Sequence, residues 1–305
     1  MNNVNISEFG KIDFILLVYI VKKHMKNFRV LLISSIIFLF TVFSVQAGTR
    51  VVVEVEVTKR DNIEMSNEII TIDKDRFRID FPGPGKDVTD KTSYIMTVNG
   101  GGNWVIADKQ DDMFYCTEMQ TEEFFRRLGS RATSALKFFR VKVTSPTIKK
   151  TLEEPGPEIH GYKTTHVQYE TTAHGYASLL VVKFEYSVKV IDDLWYTTEL
   201  EIHPVKKKWM NALAQSGNNL IDSMVADITA KLAGPVLKRE TVIDITNVRK
   251  KETKTQKKRS VIKSVADLGA DELDKVFTMP ECEVMKDNEV EKRAGVLYSA
   301  DKLML

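Results

Sequence analysis

The strongest constraint on the fold is a period of two. Val51, Val53, Val55 and Val57 alternate with Val52, Glu54, Glu56 and Thr58, so four β-branched side chains share one face of a strand and a mostly polar set faces the other way. The pattern repeats in Glu68 to Asp73 and in Arg76 to Phe81, two short strands around Lys74-Asp75, the second setting Phe77, Ile79 and Phe81 against Arg76, Arg78 and Asp80. Alternation this strict predicts an antiparallel sheet with one apolar face. Pro82-Gly83-Pro84-Gly85 stops the pairing. Strands at Tyr94 to Val98 and Trp104 to Lys109 flank Asn99-Gly100-Gly101-Gly102, which is hairpin chemistry, and Asp111-Asp112 turns the chain into Met113 to Thr117.

Helical spacing then takes over. From about Thr121 to Arg140, Phe124, Leu128, Ala132, Ala135 and Phe139 recur at three and four residues, behind Glu122 and Glu123 in the first turn. Strands resume at Val141 to Lys150, Thr164 to Thr172, Ser178 to Val190 and Leu194 to Ile202, with the acidic pairs Glu153-Glu154 and Asp192-Asp193 read as solvated turns. Lys207 to Leu232 predicts a second helix, its stripe formed by Trp209, Leu213, Ile221, Met224, Ile228 and Leu232, and Gly234-Pro235 ends it. Two strands follow near Val236 to Val248 and Thr253 to Lys263, then a short helical turn at Ala270 to Val276. The expected fold class is α+β, mostly antiparallel β: a curved sheet or incomplete β-barrel covered by two helices, in a single domain over 48–286 with a polar tail at 287–305.

The first 47 residues read differently. Lys22, Lys23, Lys26 and Arg29 precede the uncharged run Val30 to Val45, and Gln46-Ala47 closes it. These are the parts of a secretory signal peptide, with cleavage expected after Ala47 and export to the periplasm or beyond. An uncleaved anchor is the competing reading, set back by Ser34, Ser35, Thr41 and Ser44 within the run. Met25 opens a conventional signal sequence, which places residues 1–24 upstream of the expected true start. Residues 1–47 hold five basic and two acidic side chains, so without them the net charge changes from +2 to −1 and nothing draws the chain to nucleic acid. Cys116 and Cys282, the only cysteines, form one disulfide in an oxidising compartment or stay as two buried thiols, and both readings are open.

Chemistry is sparse. No HExxH motif, no cysteine pair at ligand spacing and no GxSxG is present, so neither a metal, a cofactor nor a hydrolase nucleophile is predicted. His166 and His174 are expected to approach each other across a turn, and with Glu170 they are the first candidates if the chain is an unrecognised enzyme. The basic run Lys250 to Arg259 suits a solvated hairpin or edge strand, with peripheral contact to anionic lipid as the alternative. The feature left over is the sheet face. Phe77, Ile79, Phe81, Tyr94, Met96, Trp104 and Ile106 are either a solid core or the lining of a greasy cavity beneath the helices.

The order of these pieces resembles the periplasmic lipoprotein-carrier (LolA-like) half-barrel superfamily, and more closely an uncharacterised exported family of that type. The likeness rests on Lys74-Asp75-Arg76-Phe77-Arg78, on Asn99-Gly100 followed by Trp104-Val105-Ile106 with Asp108 and a helix, and on Phe277-Thr278-Met279-Pro280 as a closing F-x-x-P segment. It implies an incomplete barrel closed by helices around a lipid cavity. The carriers keep an arginine-proline where this chain has Lys74-Asp75, which removes the counterpart of the arginine that tethers their lid. The expected function is therefore non-enzymatic binding of a lipid or other amphiphile, lined by Phe77, Ile79, Phe81, Met96, Trp104 and Ile106 with Arg78 at the rim. An envelope protein-protein interaction module with a solid core is the alternative.

Overall fold

The computed structural model describes residues 48–59, 62–81, 93–110, 113–138, 142–144, 146–179, 182–218, 222, 226 and 233–285. The expected signal peptide, its start at Met25, and the tail at 287–305 lie outside the described residues. The elements are β1 (Thr49–Lys59), β2 (Asn62–Asp73), β3 (Arg76–Asp80), β4 (Tyr94–Val98), β5 (Asn103–Gln110), β6 (Met113–Gln120), α1 (Thr121–Phe138), β7 (Lys142–Val143), β8 (Thr147–Pro155), β9 (Thr165–Leu179), β10 (Val182–Tyr196), α2 (Pro204–Leu213), β11 (Val236–Asn247), β12 (Glu252–Asp267), α3 (Ala270–Phe277) and β13 (Cys282–Val284).

One sheet contains every described strand, in the order β13-β6-β5-β4-β3-β2-β1-β12-β11-β10-β9-β7, with β8 also on β9. All pairings are antiparallel except β13 on β6. The fold is thus α+β, a mostly antiparallel curved sheet with helices on it. The valine strand sits in the middle: β1 pairs with β2 on one side and β12 on the other, and Val51, Val53, Val55 and Val57 are at most 3% exposed. Their parity defines an inner face, which carries α1 and α2. The outer face carries α3.

Several expectations need correction. The helix predicted from Lys207 to Leu232 ends at Leu213, because Ala214 caps it and Gly217 turns left-handed at φ +79°. The rest of that span lies largely outside the described residues. Its start comes earlier, at Pro204, whose missing N–H costs nothing in a first turn. The strands expected at Ser178 to Val190 and Leu194 to Ile202 are one strand, β10, and Asp192-Asp193 lie inside it rather than in a turn. Each carboxylate has a partner on its own face, Asp192 with Arg239 inside and Asp193 with His166 outside. Glu153 and Glu154 likewise belong to β8. The basic run forms the β11–β12 hairpin and continues into β12, which is an interior strand and not an edge. His166 and His174 stand eight residues apart on the single strand β9, so at about 3.3 Å per residue they are separated, not juxtaposed.

Candidate functional site

The inner face gathers most of the predicted apolar lining. Phe77, Ile79, Phe81, Trp104 and Ile106 lie in one buried cluster with the β1 valines, Ile95, Phe124 and Phe125 of α1, and Val205, Trp209 and Leu213 of α2. An aromatic stack is its centre. Trp104 lies flat on Phe124, with ring centroids 4.3 Å apart and planes 7° apart, and meets Trp209 at 4.5 Å and Phe125 at 5.4 Å. Phe77 stands edge-on to Trp209 at 4.7 Å. With the helices seated this way, the apolar face is closed.

Met96 and Arg78 belong elsewhere. β4 pairs Arg78 with Met96 and Ile79 with Ile95, so parity sends Met96 to the outer face and puts Ile95 inside. There Met96 packs in a second cluster with Tyr94, Val105, Phe114, Leu273 and Phe277. Arg78 is no rim residue: its Nε donates to both Asp80 carboxylate oxygens, at 3.0 and 3.1 Å, Nη1 donates to the Val276 carbonyl, and the guanidinium lies 3.6 Å over the Tyr94 ring. Arg76 stacks on Phe277 at 4.5 Å. The two arginines therefore hold α3 against the outer face, and a disulfide between Cys116 and Cys282 fastens the segment that follows it to β6.

Both inner helices are tethered at their N-termini to one rim. Thr121 at the start of α1 donates its backbone N–H to the Gly102 carbonyl at 2.9 Å and its hydroxyl to the Gly101 carbonyl at 2.5 Å. His203 caps α2: its Nδ1 accepts from the Val205 N–H at 3.3 Å and its Nε2 donates to the Asp73 carbonyl at 3.2 Å. Only a neutral imidazole does both at once, and burial holds the His203 pKa below its ordinary value. The β4–β5 turn is the landing, and a side chain at Gly101, where φ is +78°, would meet Val205 Cγ1 at 3.1 Å. Further along, α1 approaches the chain leaving α2 so closely that a Cβ at Gly129 would lie 2.2 Å from the Ser216 carbonyl oxygen.

Among the described residues eight buried side-chain polar atoms have no hydrogen-bonding partner: Arg50 Nε, Thr71 Oγ1 and Tyr94 Oη on the outer face, and on the inner side Trp104 Nε1, Trp209 Nε1, Thr97 Oγ1, Glu68 Oε1 and Lys206 Nζ, in residues at most 4% exposed. Sequence reasoning missed the last two. Glu68 sits across from Val53, so it faces inward, and Lys258 faces the same way across from Val57. Arg239 and Thr241 of β11 and Asp192 of β10 continue this polar strip: Arg239 Nε donates to Asp192 Oδ1 at 2.7 Å, and Thr241 donates to the same oxygen at 2.7 Å.

Burial raises the Glu68 pKa to about 8 and lowers that of Lys258 to about 7, each opposed by the other's charge. Folded Glu68 keeps a proton that the unfolded chain releases above about 4.5, so its contribution to stability falls as pH rises from there toward about 8. Lys258 acts oppositely, and its penalty grows as pH falls toward about 7. Glu68→Gln is expected to flatten the acidic-to-neutral slope and to gain about 2 kcal/mol near pH 8. Urea unfolding at about pH 5 and about pH 8 checks it, and an unchanged difference between the two refutes the assignment.

Among the described residues no three His, Cys, Asp or Glu side chains converge as metal ligands. His166 and Glu170 lie along β9, where His166 stacks on Trp195 at 4.4 Å and bonds Asp193 at 2.8 Å, and Glu170 pairs with Lys189 at 2.9 Å. No helix among the described residues is long and apolar enough to cross a membrane.

No protein-family model matches the sequence, and no curated protein matches it. Solved structures do resemble it. PNGF-II is similar over 81% of this chain at 14% identity and a TM-score of 0.35, and the matched part is 32% of PNGF-II's own length. A LolA superfamily protein of Nitrosomonas europaea, NE2245, is similar over 83% of this chain and 98% of its own, at 8% identity and a TM-score of 0.26. A structure described as a "putative outer membrane lipoprotein-sorting protein domain" from Vibrio parahaemolyticus matches over 83% of this chain and 92% of its own, at 7% identity and a TM-score of 0.22.

Proposed function

We propose that this chain is an exported, non-enzymatic binding protein that holds an amphiphile between the inner sheet face and the helices α1 and α2. One observation carries the reading: of the eight buried polar atoms without a partner among the described residues, five lie on the inner side of the sheet, which α1 and α2 cover. A core selected only for packing satisfies nearly all its polar groups, so the larger share of unpartnered atoms on the face that α1 and α2 cover supports an interface that exchanges its contents. The rim tethers fit that use, because helices fixed at their N-termini lift from the sheet without losing a strand pairing. Phe77, Ile79, Phe81, Trp104, Ile106 and Ile95 would then line the acyl chain. Burying about ten methylenes supplies about 8 kcal/mol, against which the opening of the aromatic stack is set. The basic and apolar run of residues 1–47 supports export, with cleavage near Ala47.

The rival reading, an interaction module with a solid core, is favoured by the close Trp104–Phe124 stack. A brominated fatty acid separates the two, because bromine quenches only an indole it touches. Trp104 and Trp209 lie at the inner cluster and Trp195 lies on the outer face against His166. Saturable quenching is expected in variants that keep Trp104 or Trp209 alone, and none in the variant that keeps Trp195 alone. A folded protein in which no tryptophan is quenched has a solid core.

A further inference from the structure

We propose that Lys206 receives the anionic head group of the bound amphiphile, a carboxylate or a phosphate monoester, at the place where α2 faces β10 and β11. The inference rests on the amphiphile-binding reading and names the polar end of that ligand.

Position comes first. Lys206 and Met210 lie one turn apart on α2, and Met210 packs against Val167, Leu194, Tyr196 and Val236 on β9, β10 and β11. Lys206 thus points at the same wall, next to Arg239, the residue paired with Leu194, close enough for the two positive charges to oppose each other. It is 2% exposed, and its Nζ has no hydrogen-bonding partner among the described residues.

The charges around it do not cancel. Arg239 is matched by Asp192, which it meets through two nitrogens with Thr241 bridging. Burial pushes both Lys258 and Glu68 toward their neutral forms, so neither supplies a counter-charge to Lys206. Among the described residues of this strip Lys206 is the cation left without a partner, and a lone buried ammonium is among the costliest groups an interior holds. Consistent with this, burial and Arg239 drive its pKa well below the ordinary lysine value. A single negative charge entering there would meet one ammonium in a low-dielectric site, with the guanidinium of Arg239 alongside. The apolar cluster begins on the same helix: Val205 and Trp209, either side of Lys206 in the helical repeat, belong to it. Head and tail of one single-chain amphiphile are therefore accommodated by neighbouring turns of α2.

The test compares a dibrominated fatty acid with the dibrominated alcohol of the same chain, read by quenching of Trp209, in the full protein and in Lys206→Met. The variant is expected to fold and to resist heat better, since it removes an uncompensated charge. The parent is expected to bind the acid about tenfold more tightly than the alcohol. In Lys206→Met that preference is expected to disappear through weaker binding of the acid, with the alcohol unchanged. A lysine with a merely structural role would change thermal stability and leave the preference intact, and that result overturns the inference. Equal binding of acid and alcohol by the parent overturns it too while leaving the amphiphile reading in place, whereas binding of neither removes both. Acetate and inorganic phosphate distinguish the source of the anion: displacement of the brominated acid by either, at concentrations comparable to its own, would make this a small-anion site and overturn the assignment to an amphiphile head.

Discussion

Replacing Trp104 by alanine is expected to lower the stability of the folded chain by about 4–5 kcal/mol, the upper end of the range for losing a buried aromatic ring. The size follows from its position. Trp104 is 4% exposed and joins the sheet to both inner helices, through the face-to-face stack on Phe124 and the contacts to Phe125 and Trp209. Removing it deletes the transfer free energy of an indole and leaves a void between three aromatic rings, none of which can move inward without losing its other contacts. Trp104→Phe separates packing from polarity. It keeps a ring on Phe124 and removes an indole N–H that has no partner among the described residues, so a cost below about 1.5 kcal/mol is expected. Urea unfolding followed by far-ultraviolet circular dichroism measures both. An alanine variant that loses less than about 1 kcal/mol would show that the helices rest only loosely on the sheet in solution.

Period-two alternation made much of this fold readable, because a half-buried strand leaves its parity in the sequence. The β1 valines and the Phe77, Ile79, Phe81 series fall on the inner face as their spacing requires. Alternation disappears where both faces of a strand are covered. In β4, Tyr94, Ile95, Met96 and Thr97 are all buried, with α1 and α2 on one side and α3 on the other, so no polar residue marks the outward parity and nothing in the pattern assigns Tyr94 and Met96 to the outer face. Charged residues failed for a different reason. Lys206 opens a run of three lysines that reads as solvent-facing, and only the docking of α2 buries the first of them. Asp192-Asp193 resembles a turn until Arg239, 47 residues away, arrives beside it. Long-range partners of this kind leave no local signal. The outer-face roles of Arg76 and Arg78 depend on α3, nearly 200 residues further along the chain, and were invisible for the same reason.

Substituting both Cys116 and Cys282 by alanine is expected to cost about 4–5 kcal/mol, comparable to the loss of Trp104 but from the unfolded side of the equilibrium. The bridge spans 166 residues, and closing so long a loop removes much of the freedom of the denatured chain. It also joins parts of the sheet that hydrogen bonding connects weakly. β13 is three residues long and pairs in parallel with β6, whereas α3 reaches the outer face through Leu273, Phe277 and the arginine contacts. Without the disulfide, β13 is expected to fray first, and then α3, exposing Tyr94, Met96 and Phe114. Thermal unfolding with and without a reducing agent should differ by about 10 °C or more, and hydrogen exchange should place the first loss of protection in residues 270–285. Equal midpoints under the two conditions would mean that α3 and its arginines hold the edge unaided. A uniform loss of protection across the sheet would mean that the bridge acts only through the unfolded chain.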